Sequence, residues 1–281
     1  MSIIDALKPQ NINNQLRRLT HKLDHGIENP ASSQARKKLC IALIATTVCL
    51  LILHYLKYSS NFVIVLRWLG ETFTDSSSSY IRMLKESGWF ELSKQFWWLF
   101  WHILCYVLIP VFIIKRIFKE KLCDYGSRWQ ATTPYLIWYI LLAAPIVCFA
   151  YLASFRPDFA AHYPFYNLAQ RSWLDFFLWE LVYITQFICL EFFFRGFVLH
   201  AAQPALGVNS IFVMMVPYTM IHFTKPWLEA TGAILFGLFL GILALLSRSI
   251  WGGALVHITI AMAMDIFALY QTGRLPTQLI W

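Results

Sequence analysis

The sequence predicts an all-α protein, a polytopic transmembrane bundle of about seven helices, on three observations. Hydrophobic residues make up 58% of the 281-residue chain and charged residues only 14%, with a mean hydropathy of +0.55. That is more apolar surface than a soluble domain can bury. Apolar runs recur at roughly the 20-residue length that a bilayer requires. The cations behind the net charge of +8 lie mostly outside those runs, as topology signals at a membrane surface do.

The first 39 residues are polar and carry Lys8, Arg17, Arg18, Lys22, Arg36, Lys37 and Lys38. This stretch is too long for the charged head of a signal peptide, and no small-residue cleavage site follows the first apolar run. It reads as a basic cytoplasmic arm. Spans are expected near 40–57, 93–114, 134–155, 173–200, 208–223, 228–247 and 249–271. The segment 115–128 holds Lys115, Arg116, Lys119, Lys121 and Arg128 against Glu120 and Asp124, so it too is assigned to the cytoplasm. The segment 58–92 is mixed in sign. Its Ser76–Ser79 run reads as a loop on the opposite side, and Asn61 to Leu69 as a short interfacial helix.

The six cysteines show no CxxC pair and sit in or beside apolar runs, which points to packed reduced thiols. Pairs such as Trp97-Trp98 belong to a lipid-facing aromatic surface, and nucleic acid is not an expected partner. No internal repeat or soluble domain interrupts the chain. The expected divisions are 1–39 as an arm, 40–172 as N-terminal spans and loops, 173–271 as the core, and 272–281 as a short tail.

Charges inside the apolar runs carry the functional information, because an ionisable side chain in hydrocarbon is costly. Glu191 and Arg195 lie one helical turn apart in Leu190-Glu191-Phe192-Phe193-Phe194-Arg195-Gly196, where each offsets the other. His222 ends the fifth expected span, and His257 lies on the seventh. At 1.5 Å per residue, Glu191, His222 and His257 fall about 16, 21 and 12 Å from one membrane face. Glu229 and Asp265 fall at about 27 and 24 Å, as an upper layer of the same cavity or at the outer interface. Glu180 is placed near the outer surface. His54, His102, His162 and His200 have no motif around them and read as structural.

Together, Glu191 to Gly196, Tyr218 to His222, Gly237 to Gly241, and Ser249 to Gly253 leading to His257 resemble a known family. It is the CAAX-protease and bacteriocin-processing family, also called the abortive-infection or type II CAAX prenyl endopeptidase group. Its helical core carries motifs of the form EExxxR, FxxxH and HxxxN or HxxxD. Order, spacing and flanking glycines agree over 173–271. The resemblance implies a glutamic-type intramembrane protease core in the last four spans, with Glu191, Arg195, His222 and His257 at matching positions. The first glutamate of the pair falls on Leu190 and the final Asn or Asp on Ala261; the aromatic of FxxxH is present as Tyr218. Asp265, one turn beyond Ala261, and Glu229, with Lys225 beside it and Pro226 to bend the chain inward, are the candidate auxiliary groups. These departures describe a divergent branch.

Peptide hydrolysis needs a base to activate water and donors for the developing oxyanion. Glu191 suits the first task, oriented by Arg195, with His222 and His257 suited to the second. The substrate would be a hydrophobic or prenylated membrane-anchored peptide reaching the site laterally from the lipid. Glu191, His222 and His257 also match the ligand set of an open catalytic zinc site, although no His-Glu-x-x-His element is present. That reading would make zinc the cofactor and the chain an intramembrane metalloprotease; otherwise no cofactor is expected. Two alternatives stand beside the protease. Leu190 and Ala261 suit an inactive relative acting as a membrane scaffold or immunity factor, and intramembrane charges also mark transport paths.

Overall fold

The computed structural model describes residues 17–18, 31–74, 76–225 and 227–281. Most of the expected basic arm, and Pro226, lie outside them. The described residues form helices α1 (Ser33–Leu56), α2 (Ser59–Phe73), α3 (Ser79–Glu86), α4 (Phe90–Phe118), α5 (Leu136–Ala153) and α6 (Pro157–His162). These are followed by α7 (Trp173–Glu191), a π-helical segment (Phe192–Val198), α8 (Leu199–Leu206), α9 (Ser210–Met220), α10 (Trp227–Ser247) and α11 (Trp251–Gln271). No strand is named among the described residues, and an isolated antiparallel bridge joins Ser127 and Ser249. The fold is an all-α polytopic bundle.

Among the described residues, six helices are long and apolar enough to cross a membrane. The difference from the seven expected ranges falls on 208–223. Helix α9 has only 11 residues, about 16 Å of rise against a hydrocarbon core of about 30 Å, and it follows α7 and α8 within one long apolar stretch. The expected interfacial helix Asn61–Leu69 falls inside the longer α2.

Lipid is as apolar as leucine, so helix association here rests on close packing and buried polar contacts. Exposure along each helix therefore separates lipid-facing faces from packed ones. On α5, Ile137, Trp138, Ile140, Leu141, Phe149 and Leu152 are all exposed. On α7 and the π-helical segment most side chains are buried, and the run Cys189 to Ala202 is buried throughout.

The chain divides into two compact units. One comprises Thr47–Val111, Leu136–Glu191 and Gly252–Trp281. Its core joins Leu92 and Leu99 of α4, Tyr166 and Ala169, Phe176, Trp179, Val182 and Tyr183 of α7, and Ala261 and Leu269 of α11. The spacing 176, 179, 183 is a single helix face. The tail closes this unit: Trp173 and Leu174 donate their backbone N–H groups to the carbonyls of Gln278 and Leu279 at 3.0 Å, capping the start of α7.

The other unit comprises Met1–Thr46, Phe112–Tyr135 and Phe192–Trp251. Here α9 and α10 pack through the Gly237 and Gly241 pair. A Cβ at Gly237 would lie 2.8 Å from Met215 Cγ, and one at Gly241 2.9 Å from Ile211 Cγ2. This four-residue glycine spacing is a common device for close helix approach in membranes.

Candidate active site

Helices α7 and α11 bring Glu191 and His257 together. The Glu191 side chain is fully buried, and its Oε1 lies 3.2 Å from His257 Nε2. Phe187, one turn before Glu191, stacks on the His257 imidazole at 5.3 Å between ring centres and 4° between planes, which fixes the ring's orientation. Gly253 makes the space, because a Cβ there would overlap Glu191 Oε2. Its neighbour Gly252 faces Tyr139 of α5, where a Cβ would overlap the phenol ring. The glycine pair therefore admits a carboxylate on one side and an aromatic ring on the other. Neither Phe187 nor the specific task of Gly253 is apparent from the motifs, although Phe187 lies on the Glu191 face at i−4.

In the other unit, Tyr218 organises Arg195 and His222. Arg195 is fully buried within the π-helical segment, a wide turn that in many proteins marks a functional site. Its guanidinium carbon sits 3.9 Å from the centre of the Tyr218 ring, and Nη2 donates to the Phe236 carbonyl at 3.4 Å. The Tyr218 ring, itself buried, meets Phe194 edge-on at 5.3 Å and lies 4.9 Å from the His222 ring. Since the Tyr218 carbonyl can only accept, His222 Nδ1 must donate to it, at 2.8 Å. Tyr218, at the aromatic position of the second motif, thus holds both charged and titratable members of its unit.

The auxiliary groups go elsewhere. Asp265 Oδ2 accepts from Trp179 Nε1 at 2.7 Å. It lies two turns beyond His257, about 12 Å along α11, too far to share a water with Glu191. Glu229 pairs with Lys225 at 3.2 Å, and both side chains are partly exposed. Glu180, expected near the outer membrane surface, has its side chain buried within the protein at 3% exposure, which leaves that depth untouched. Among the described residues no group of three or more His, Cys, Asp and Glu side chains is arranged to hold a metal. The proposed zinc ligands Glu191, His222 and His257 therefore do not form such a set, and no step is derived through zinc.

A third buried carboxylate on α7, beside Glu191 and Glu180, went unnoticed in the sequence. Asp175 is fully buried and accepts from Arg171 Nε and Nη2 at 2.7 and 2.8 Å, from Tyr166 at 2.7 Å and from Ser172 at 3.0 Å. Arg171 also donates to the Gly88 carbonyl at 3.1 Å and stacks 3.6 Å from the Trp281 ring centre.

Comparison with known proteins places the resemblance in the same region. A family model described as type II CAAX prenyl endopeptidase Rce1-like matches residues 171–263. This interval contains Glu191, Arg195, His222 and His257, and a third of the chain. No curated protein and no solved structure matches the chain.

Proposed function

We propose that the protein is an intramembrane endopeptidase with Glu191 as its base, because residues 171–263 match the Rce1-like type II CAAX prenyl endopeptidase model. The chain is an integral membrane protein, and its substrate on this reading is a hydrophobic or prenylated peptide anchored in the same bilayer. The supporting observation is the 3.2 Å approach of His257 Nε2 to a fully buried Glu191 carboxylate.

Glu191 takes a proton from water as the water oxygen bonds to the scissile carbonyl carbon. The resulting oxyanion is stabilised by an N–H donor, the role given to His257. The C–N bond then breaks as the proton passes from Glu191 to the leaving amine. Phe187 and Gly253 hold the pair in register, while the Tyr218 ring holds Arg195 and His222 within their own unit. Residues 115–128 lie on the cytoplasmic side in this reading.

A second reading rests on Leu190 and Ala261, the two departures from the family motifs. Both side chains are buried at 5% exposure, and Ala261 belongs to the apolar core of its unit. A relative that binds hydrophobic segments without cutting them would tolerate these residues. The deciding experiment is cleavage of a fluorogenic prenylated peptide by the full chain in proteoliposomes. Losses of at least about 100-fold in both Glu191→Gln and His257→Ala support the protease, and undiminished cleavage in both overturns it. Peptide binding with no cleavage by the unmodified protein supports the non-catalytic relative.

A further inference from the structure

A second site stands apart from the peptidase chemistry, at the end of α4. The helix finishes in a π-helical turn, Ile113–Phe118, and Lys119 then takes a left-handed conformation with φ of 59°. A non-glycine residue rarely adopts this geometry without a structural reason. Its effect is to turn the chain sharply, so that Lys115, Lys119 and Lys121 line one open cavity of about 430 Å³ together with Glu120 and Leu122.

The single carboxylate in this lining is already engaged. Glu120 Oε2 accepts from Lys38 Nζ of α1 at 2.7 Å and from the Tyr125 hydroxyl. Burial and the neighbouring Glu120 charge hold that hydroxyl in its protonated form well above the usual range. Lys38 itself is mostly buried, and its ammonium sits 5.1 and 5.4 Å from the Tyr125 and Phe118 ring centres. Glu120 is thus balanced by a cation from another helix, while the three cavity lysines are exposed to solvent.

We propose that this cavity binds the headgroup of a multiply charged phospholipid on the membrane face carrying residues 119–132. Three lysines line the cavity, more positive charge than a single phosphodiester needs. Their place, within and just after the last turn of a spanning helix, is the depth at which lipid phosphates lie. Basic pockets at spanning-helix ends bind such headgroups through local attraction to each lysine.

The test is native mass spectrometry of the detergent-solubilised full chain with short-chain phosphatidylcholine, phosphatidylglycerol and phosphatidylinositol bisphosphate, and with soluble inositol trisphosphate. Binding should rise with headgroup charge. Lys119→Gly, which suits the left-handed backbone and removes the side chain with its charge, should weaken the bisphosphate lipid by about 5-fold. Replacing Lys115, Lys119 and Lys121 together should weaken it by about 100-fold. Lys37→Gln, an exposed cation outside the cavity, should change it by less than about twofold.

Equal retention of phosphatidylcholine and the bisphosphate lipid would overturn the proposal. So would an effect of Lys37→Gln equal to that of Lys119→Gly, which would indicate unspecific surface attraction. Soluble inositol trisphosphate binding as tightly as the lipid would overturn the lipid as the source of the phosphate. Binding is read without peptide cleavage, so its outcome is independent of the peptidase assay.

Discussion

Two of the three buried carboxylates on helix α7 are treated in opposite ways. Asp175, in the first turn, is held by a permanently charged guanidinium, a phenol and a serine hydroxyl. Glu191, the last residue, meets an imidazole that can give and take a proton, in a space opened by a glycine. A carboxylate surrounded by fixed donors is structural, because any reaction there would break several short hydrogen bonds at once. One facing a titratable ring beside missing side-chain volume is built for change. Ionisable burial alone therefore does not mark the reactive group on this helix; the nature of the partner does.

That contrast can be broken experimentally, beginning with the largest expected effect. Glu191→Gln should lower peptide cleavage by about 10²- to 10⁴-fold, the usual contribution of a general base, while thermal unfolding in detergent shifts little. A large loss of stability with cleavage retained would place Glu191 with Asp175 among structural acids. Arg171→Met should do the reverse. Removing one member of a buried pair costs about 3–5 kcal/mol, and the pair's partial exposure on the arginine side (21%) puts the expected loss at the lower end of that range. The measurement is the unfolding midpoint, compared with cleavage by whatever fraction remains folded.

Gly253→Ala should impair both properties. Its Cβ overlaps the Glu191 carboxylate, so the acid must move; overpacking of this kind costs about 1–3 kcal/mol. Wild-type cleavage rates in this variant would show that Glu191 needs no reserved space. The smallest effect is expected at Tyr218. Tyr218→Leu should remove the cation–π contact with Arg195, worth up to about 2 kcal/mol when desolvated, and Tyr218→Phe should retain it. Equal unfolding midpoints for the two variants would show that the ring's contribution is only its volume.

The candidate site residues were legible as single positions. Glu191, Arg195, His222 and His257 stand out because a charge or imidazole within an apolar run is costly wherever the helix lies. Asp175 escaped notice because Arg171 and Asp175 at i, i+4 look like an ordinary surface pair. Their burial depends on Tyr166, on the Gly88 carbonyl and on Trp281, which lie up to 110 residues away. Asp265 was legible as a polar residue on the His257 face, but its pairing with Trp179 depends on the antiparallel register of α7 and α11. Periodicity within one helix carries no information about that register. The fifth expected range holds the short helix α9, whose ends hydropathy does not record, since it registers apolar length and not where a helix stops.

The amino-acid sequence by itself determined the membrane environment, the all-helical architecture and the positions where chemistry is affordable in hydrocarbon. Those properties arise from composition and local spacing. Tertiary structure alone decided that His257 faces Glu191, that Gly253 makes room for the carboxylate, that Tyr218 supports Arg195, and that Lys38 neutralises Glu120 beside three open lysines. Each of these relations joins residues from different helices or distant loops, and a contact of a few ångströms between such residues exists only after the helices have packed.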